Sequence, residues 1–138
     1  MRIDIKRIND AVNLEATNES GVKLLMDGSD AIGGKNLGMR PMQILLASLG
    51  GCSSMDVLSI LKKMQQDVTE YQVVLNGNRE EGVEPSLFKT IDVKFILKGN
   101  NLDANRVERA IELSMTKYCS VAKTLEPTCS ITSSFEIL

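Results

Sequence analysis

No histidine occurs among the 138 residues. That absence removes Ser-His-Asp and Cys-His catalysis, HExxH zinc sites and every histidine general base, so any chemistry must run on Cys, Lys, Arg, Asp, Glu or Tyr. A basic excess is missing as well. Sixteen Lys and Arg stand against eighteen Asp and Glu, a net charge of −2, which argues against a nucleic-acid partner. No basic stretch followed by an apolar one opens the sequence, so no signal peptide is read and a cytoplasmic location is expected. Cysteine is scarce and odd in number: Cys52, Cys119 and Cys129, with no CxxC pair. In a reducing compartment that count points to free thiols or one redox pair rather than a disulfide framework. Three thiols without histidine make a poor zinc set, so neither metal nor cofactor is expected.

What is present, 43% hydrophobic and 25% charged residues, suits one soluble domain over residues 1–138. Ile3 and Ile5, then Val12, Leu14 and Ala16, then Val22, Leu24 and Met26 alternate with polar neighbours, which predicts a three-stranded meander. Residues 27–40 are glycine-rich and aperiodic, matching neither GxGxxG nor a phosphate loop, and read as a connector. Pro41 suits a first helical position, and the segment to Met64 is apolar almost all round. That pattern predicts a central helix buried on most faces. Gln43, four serines and Asp56 within it argue against a membrane span.

Tyr71, Val73 and Leu75, and then Ile91, Val93, Phe95 and Leu97, form the arms of a longer hairpin. Asp103 reads as the N-cap of a helix reaching about Tyr118, with a short helix over 120–125 and a last strand carrying Cys129, Ile131, Phe135 and Ile137. The order is βββ-α-ββ-α-α-β, an α+β domain.

Three positions could carry chemistry. Cys52 follows Gly50-Gly51, and two glycines inside a helix cost about 1 kcal/mol each relative to alanine. They allow either tight packing around a small residue or an irregularity at a reactive thiol. Asp56, one turn further on, is a carboxylate on the same face and opposes ionisation of a thiol there. Cys119 lies at the junction of two helices, beside a helix N-terminus that favours a thiolate, with Lys117 and Lys123 near in sequence. It reads equally as a solvent-excluded junction residue. Cys129 alternates with Ile131 and Phe135 and reads as core.

The run from Arg40 to Met64, with Gly50-Gly51-Cys52-Ser53-Ser54-Met55-Asp56-Val57 at its centre, resembles the core-helix signature of the OsmC/Ohr family of osmotically induced and organic-hydroperoxide-resistance proteins. The block Ala110–Leu125, containing Tyr118-Cys119-Ser120, is similar to that family's second cysteine motif. The resemblance implies a thiol peroxidase acting on organic hydroperoxides in oxidative stress defence. It makes Cys52 the peroxidatic cysteine and Cys119 the resolving one, and implies a dithiol reductant such as a lipoyl protein. It also implies an intertwined homodimer of OsmC-like fold; from the charge balance and the polar residues of the core helix, neither nucleic acid nor membrane is expected as partner. An apolar substrate pocket is expected from Met39, Met42, Met55 and Met115.

The family's activating pair of N-terminal arginine and helix-start glutamate has no match. Met42 stands at the glutamate position, and no arginine lies between Arg7 and Arg40. Arg40 is therefore the candidate cation for the Cys52 thiolate. Those departures place the sequence nearer a less-characterised branch. They keep a second function open: a non-catalytic relative that binds an apolar ligand or senses redox state.

Overall fold

The computed structural model describes residues 1–138 as two compact units, Met1–Leu45 and Leu46–Leu138. In the first unit β1 (Ile3–Arg7), β2 (Leu14–Asn18) and β3 (Lys23–Met26) pair antiparallel in the order β1-β2-β3. Asn18 shapes the β2–β3 turn, its Oδ1 accepting from the backbone N–H groups of Ser20 and Val22. The apolar side chains of this sheet are largely bare: Ile3 is 54% exposed and Ile5 58%.

Residues 27–40 are more ordered than a simple connector. Asp27 is buried, and its carboxylate accepts three backbone N–H groups, from Gly28, Lys35 and Leu37 at 2.8–3.0 Å. A short bridge between Met26 and Met39 and one 3₁₀ turn at Asp30–Ile32 complete the loop. Glycines alone read as flexible, but here a single buried anion gathers the strand of amides around it. Those bonds hold the Asp27 carboxyl below the usual carboxylate value. A lowered folded-state pKa means that stability is present above the unfolded value of about 3.9 and is lost as pH falls through the folded one. The protection of the Lys35 and Leu37 amides against exchange should therefore fall as pH drops below about 4, and Asp27→Asn should show little protection there already at pH 7.

Helix α1 (Pro41–Lys63) starts at the predicted proline and crosses from the first unit into the second. Gln43 and Ile44 donate their N–H groups to the Arg40 carbonyl, and Gln43 Oε1 accepts from the Arg40 N–H at 2.9 Å. That is the returning half of a capping box, which compensates for an N-cap residue unable to accept from the first turn. Leu49, Gly50, Ser53, Val57 and Leu61 are buried on α1, whereas Met55 is 74% and Leu58 39% exposed. The expectation of a helix buried on most faces is thus corrected: one stripe at a spacing of four is buried within a single chain. The segment is long and apolar enough to cross a membrane, but this stripe is packed as in a core helix.

In the second unit β4 (Asp67–Arg79) and β5 (Phe88–Asn100) form the long hairpin, and β6 (Ser130–Ile137) pairs parallel to β5. The parallel pairing needs a crossover, made by α2 (Ala104–Leu113), a π-helical turn (Ser114–Tyr118) and α3 (Ser120–Leu125). Asp103 caps α2, its Oδ1 accepting from Asn105 and Arg106. Phe88, Ile91, Val93, Phe95 and Leu97 of β5 are buried, together with Leu49, Val57 and Leu61 of α1 and Val107, Ala110 and Ile111 of α2. Each large apolar side chain so buried contributes roughly 1.5–3 kcal/mol. Gly50 packs closely here, since a Cβ there would meet Leu75 Cδ1 at 2.7 Å and the end of that side chain would have to shift, whereas one on Gly51 would meet nothing within 4 Å.

Candidate active site

Two buried serines and an irregular turn position the thiols. The Ser53 hydroxyl bonds back to the carbonyl oxygens of Leu49 and Gly50, and Ser54 Oγ donates to the Gly50 carbonyl at 2.5 Å. These bonds hold polar side chains inside an apolar helix without orphaned hydroxyls. α2 does not run on to Tyr118 as an α-helix. It gives way at Ser114 to the π turn, closed by the Cys119 N–H donating to the Ser114 carbonyl at 2.8 Å. The wider turn ends with Cys119 in extended backbone as the N-cap of α3, where the Ala122 N–H donates to its Sγ at 3.4 Å. Buried Ser114 sits beneath, its Oγ 3.3 Å from both the Ser53 carbonyl oxygen and Asp56 Oδ2.

The result is a tight group. The Sγ atoms of Cys52 and Cys119 and a carboxylate oxygen of Asp56 all lie within 4.8 Å of one another. Cys52 is half-buried and Cys119 fully buried, and all three cysteines are free thiols. Cys129 stands apart from this group, buried with its Sγ 3.4 Å from the Leu125 carbonyl oxygen. Asp56, alone of the three, also lines a surface cavity of about 400 Å³ with Ile60, Lys63, Met64 and Tyr118.

Burial pushes the Cys119 thiol up to about 11; the Ala122 N–H works against that rise and the neighbouring Cys52 sulfur adds to it. Because the folded pKa is raised, folding retains the proton. Stability is complete below the unfolded value of about 8.5 and declines as pH rises toward 11. At pH 8, iodoacetamide should label Cys52 in the folded protein and leave Cys119 and Cys129 for the denatured one, as peptide mass mapping can show.

The other anticipated site residues are distributed differently. Arg40 is half-buried, and its guanidinium donates to Asn36 Oδ1 at 3.1 and 3.4 Å. Lys117 lies over the Tyr118 ring, 5.2 Å from its centroid. Met115 lines a cavity of about 700 Å³ with Ile111 and Phe135. Met42 is half-buried and Met39 53% exposed. Met55 faces solvent and lines no pocket within this chain, because the spacing of methionines on a helix does not reveal which face the rest of the chain covers. Sequence reasoning missed Ser114 as a site residue, and took Asp56 only as an obstacle to ionisation. The i, i+4 spacing of Cys52 and Asp56 was the available signal for the latter.

The OsmC-like protein family model matches residues 33–134, which contain both cysteines and Asp56. The chain belongs to the OsmC-like family. Protein YhfA of Escherichia coli K12 is 44% identical over 119 residues, covering 86% of this chain and 85% of its relative. A hypothetical protein of Aquifex aeolicus VF5 shares 28% identity with a TM-score of 0.85, over 99% of this chain and 95% of that one. The organic hydroperoxide resistance protein OhrB of Bacillus subtilis, at 15% identity, has a TM-score of 0.65 over 99% and 98% of the two chains, a likeness of fold. This OsmC-like protein thus shares its α+β architecture with family members that bear the hydroperoxide-resistance name.

Proposed function

We propose that this OsmC-like protein is a two-cysteine thiol peroxidase for organic hydroperoxides. The observation that carries the reading is the approach of the Cys52 and Cys119 sulfurs to within 4.8 Å, the first half-buried and the second sealed. The Cys52 thiolate attacks the outer peroxide oxygen. An S–O bond forms, the O–O bond breaks, and the alkoxide leaves with a proton as the alcohol. Cys119 then attacks the sulfenic sulfur, giving the Cys52–Cys119 disulfide and water. A small external dithiol of the lipoyl class returns both thiols, a reaction that suits a reducing, cytoplasmic setting.

Support for a homodimer comes from the apolar side chains that one chain leaves bare, Met55 and Leu58 on α1 and Ile3 and Ile5 on β1. Arg40 stands twelve residues before Cys52, about 18 Å along α1, so the reading takes the cation for Cys52 from the Arg40 of a second copy, whose charge survives partial burial. The test is turnover of cumene hydroperoxide with dihydrolipoamide. In that assay Arg40→Ala should slow peroxide attack on the order of ten- to a hundredfold while leaving the dimer folded. A variant as fast as the parent would transfer the role to Lys117.

A further inference from the structure

We propose that Cys52, Asp56 and Cys119 form, in the reduced protein, a binding site for one thiophilic divalent cation of the zinc class, with solvent as the fourth ligand. The inference goes beyond peroxide reduction and does not depend on it.

The donor set is of the right kind and nearly of the right size. Two thiolates and a carboxylate are ordinary zinc ligands, and a tetrahedral ion with Zn–S near 2.3 Å and Zn–O near 2.1 Å places its ligand atoms about 3.5–3.8 Å apart. Here the three donor atoms all lie within 4.8 Å of one another, so side-chain movements of about 1 Å close the site. The ligands come from two elements. Cys52 and Asp56 stand one turn apart on α1, and Cys119 caps α3. An ion would therefore clamp α1 to the turn that precedes α3.

Outer partners are already in place, and such contacts fix ligand orientation in metal sites. Ser114 Oγ lies 3.3 Å from Asp56 Oδ2, and the Ala122 N–H donates to Cys119 Sγ at 3.4 Å. The cavity that Asp56 lines opens the carboxylate side of the site to solvent.

Charge supplies the second argument. Two thiolates and a carboxylate within 4.8 Å of one another bring three negative charges to one place. A divalent cation reconciles the three anionic donors: it displaces the two thiol protons to solvent and leaves a net charge of −1 on the cluster. Cys129, committed to the Leu125 carbonyl, takes no part, so the carboxylate supplies what a third thiol does not. Oxidation of the two thiols to a disulfide removes two of the three ligands, so the ion is held by the reduced protein and released by the oxidised one.

The full-length reduced protein, freed of metal, is titrated with Zn²⁺ against a chromophoric chelator and with Co²⁺ as a spectroscopic probe, no peroxide being present. The expected result is one ion per chain, with a thiolate-to-cobalt charge-transfer band in the near ultraviolet and the visible bands of a tetrahedral ion. Asp56→Asn should weaken Zn²⁺ binding at least about tenfold, Asp56→Glu should restore part of it, and Cys52→Ser should weaken it further, with circular dichroism confirming the fold. Diamide oxidation of the parent protein should abolish binding. Retention of parental affinity by Asp56→Asn, an octahedral cobalt spectrum, or undiminished binding after oxidation would each overturn the proposal. Because no peroxide enters the titration, its failure leaves the peroxidase reading untouched, and loss of peroxidase activity leaves the metal site standing.

Discussion

Cys52→Ser is expected to lower hydroperoxide reduction to the uncatalysed background, while Cys119→Ser keeps one rapid turnover and then stops. The asymmetry follows from the geometry. Cys52 is the half-exposed sulfur and meets peroxide first, so without it no S–O bond forms. Cys119 is sealed and acts only on the product of that step, so its loss strands Cys52 as a sulfenic acid. Dimedone trapping with mass analysis should find one adduct per chain in Cys119→Ser and none in Cys52→Ser. Equal steady-state activity in the two variants would reject the division of roles. Cys129→Ser should keep the parental activity, because that sulfur is buried apart from the pair, beside the Leu125 carbonyl and the Thr128 side chain.

The second large effect concerns assembly. Sedimentation at micromolar concentration should show a stable dimer, and Met55→Asp should convert it to monomer or to unfolded chain. Met55 is 74% exposed and Leu58 39% on a helix whose opposite stripe is fully packed. Burying such a face against a second copy fits the obligate class of interface, roughly 2,000 Å² or more and apolar at its centre. Two aspartates placed there, one from each copy, would bring like charges into a desolvated patch. A parent protein that sediments as a folded monomer would defeat this reading.

The element order was legible because its signals are local. Alternation gave the strands, Pro41 the start of α1, and Asp103 the cap of α2, and each matches the structure. Three features were not legible, for different reasons. The exposure of α1 depends on what surrounds it, and an all-round apolar sequence looks the same whether a subunit or its partner covers it. The loop at 27–40 is organised by Asp27, whose three amide partners lie one, eight and ten residues away, a pattern that no periodicity announces. The π turn at Ser114–Tyr118 replaces a continued α-helix, and the N–H of Cys119 that closes it reaches a carbonyl five residues back, which no side-chain periodicity marks. Of the site, both cysteines were legible as motifs, whereas Ser114 was not, because a serine on a helical stripe carries no mark of the backbone it will touch.

The parallel pairing of β5 with β6 has a consequence for how the chain is made. β5 is the middle strand of its sheet, and its second neighbour begins thirty residues after β5 ends. During synthesis the β4–β5 hairpin emerges from the ribosome first, and one edge of β5 stays unpaired until the two helices and β6 have followed. That edge belongs to a strand with Ile91, Val93, Phe95 and Leu97 on one face, the kind of template to which other nascent chains add strands. Closing the crossover is a non-local step, and pairings of that kind form slowly. The interval before β6 docks is therefore the period in which this protein most needs protection from its own copies.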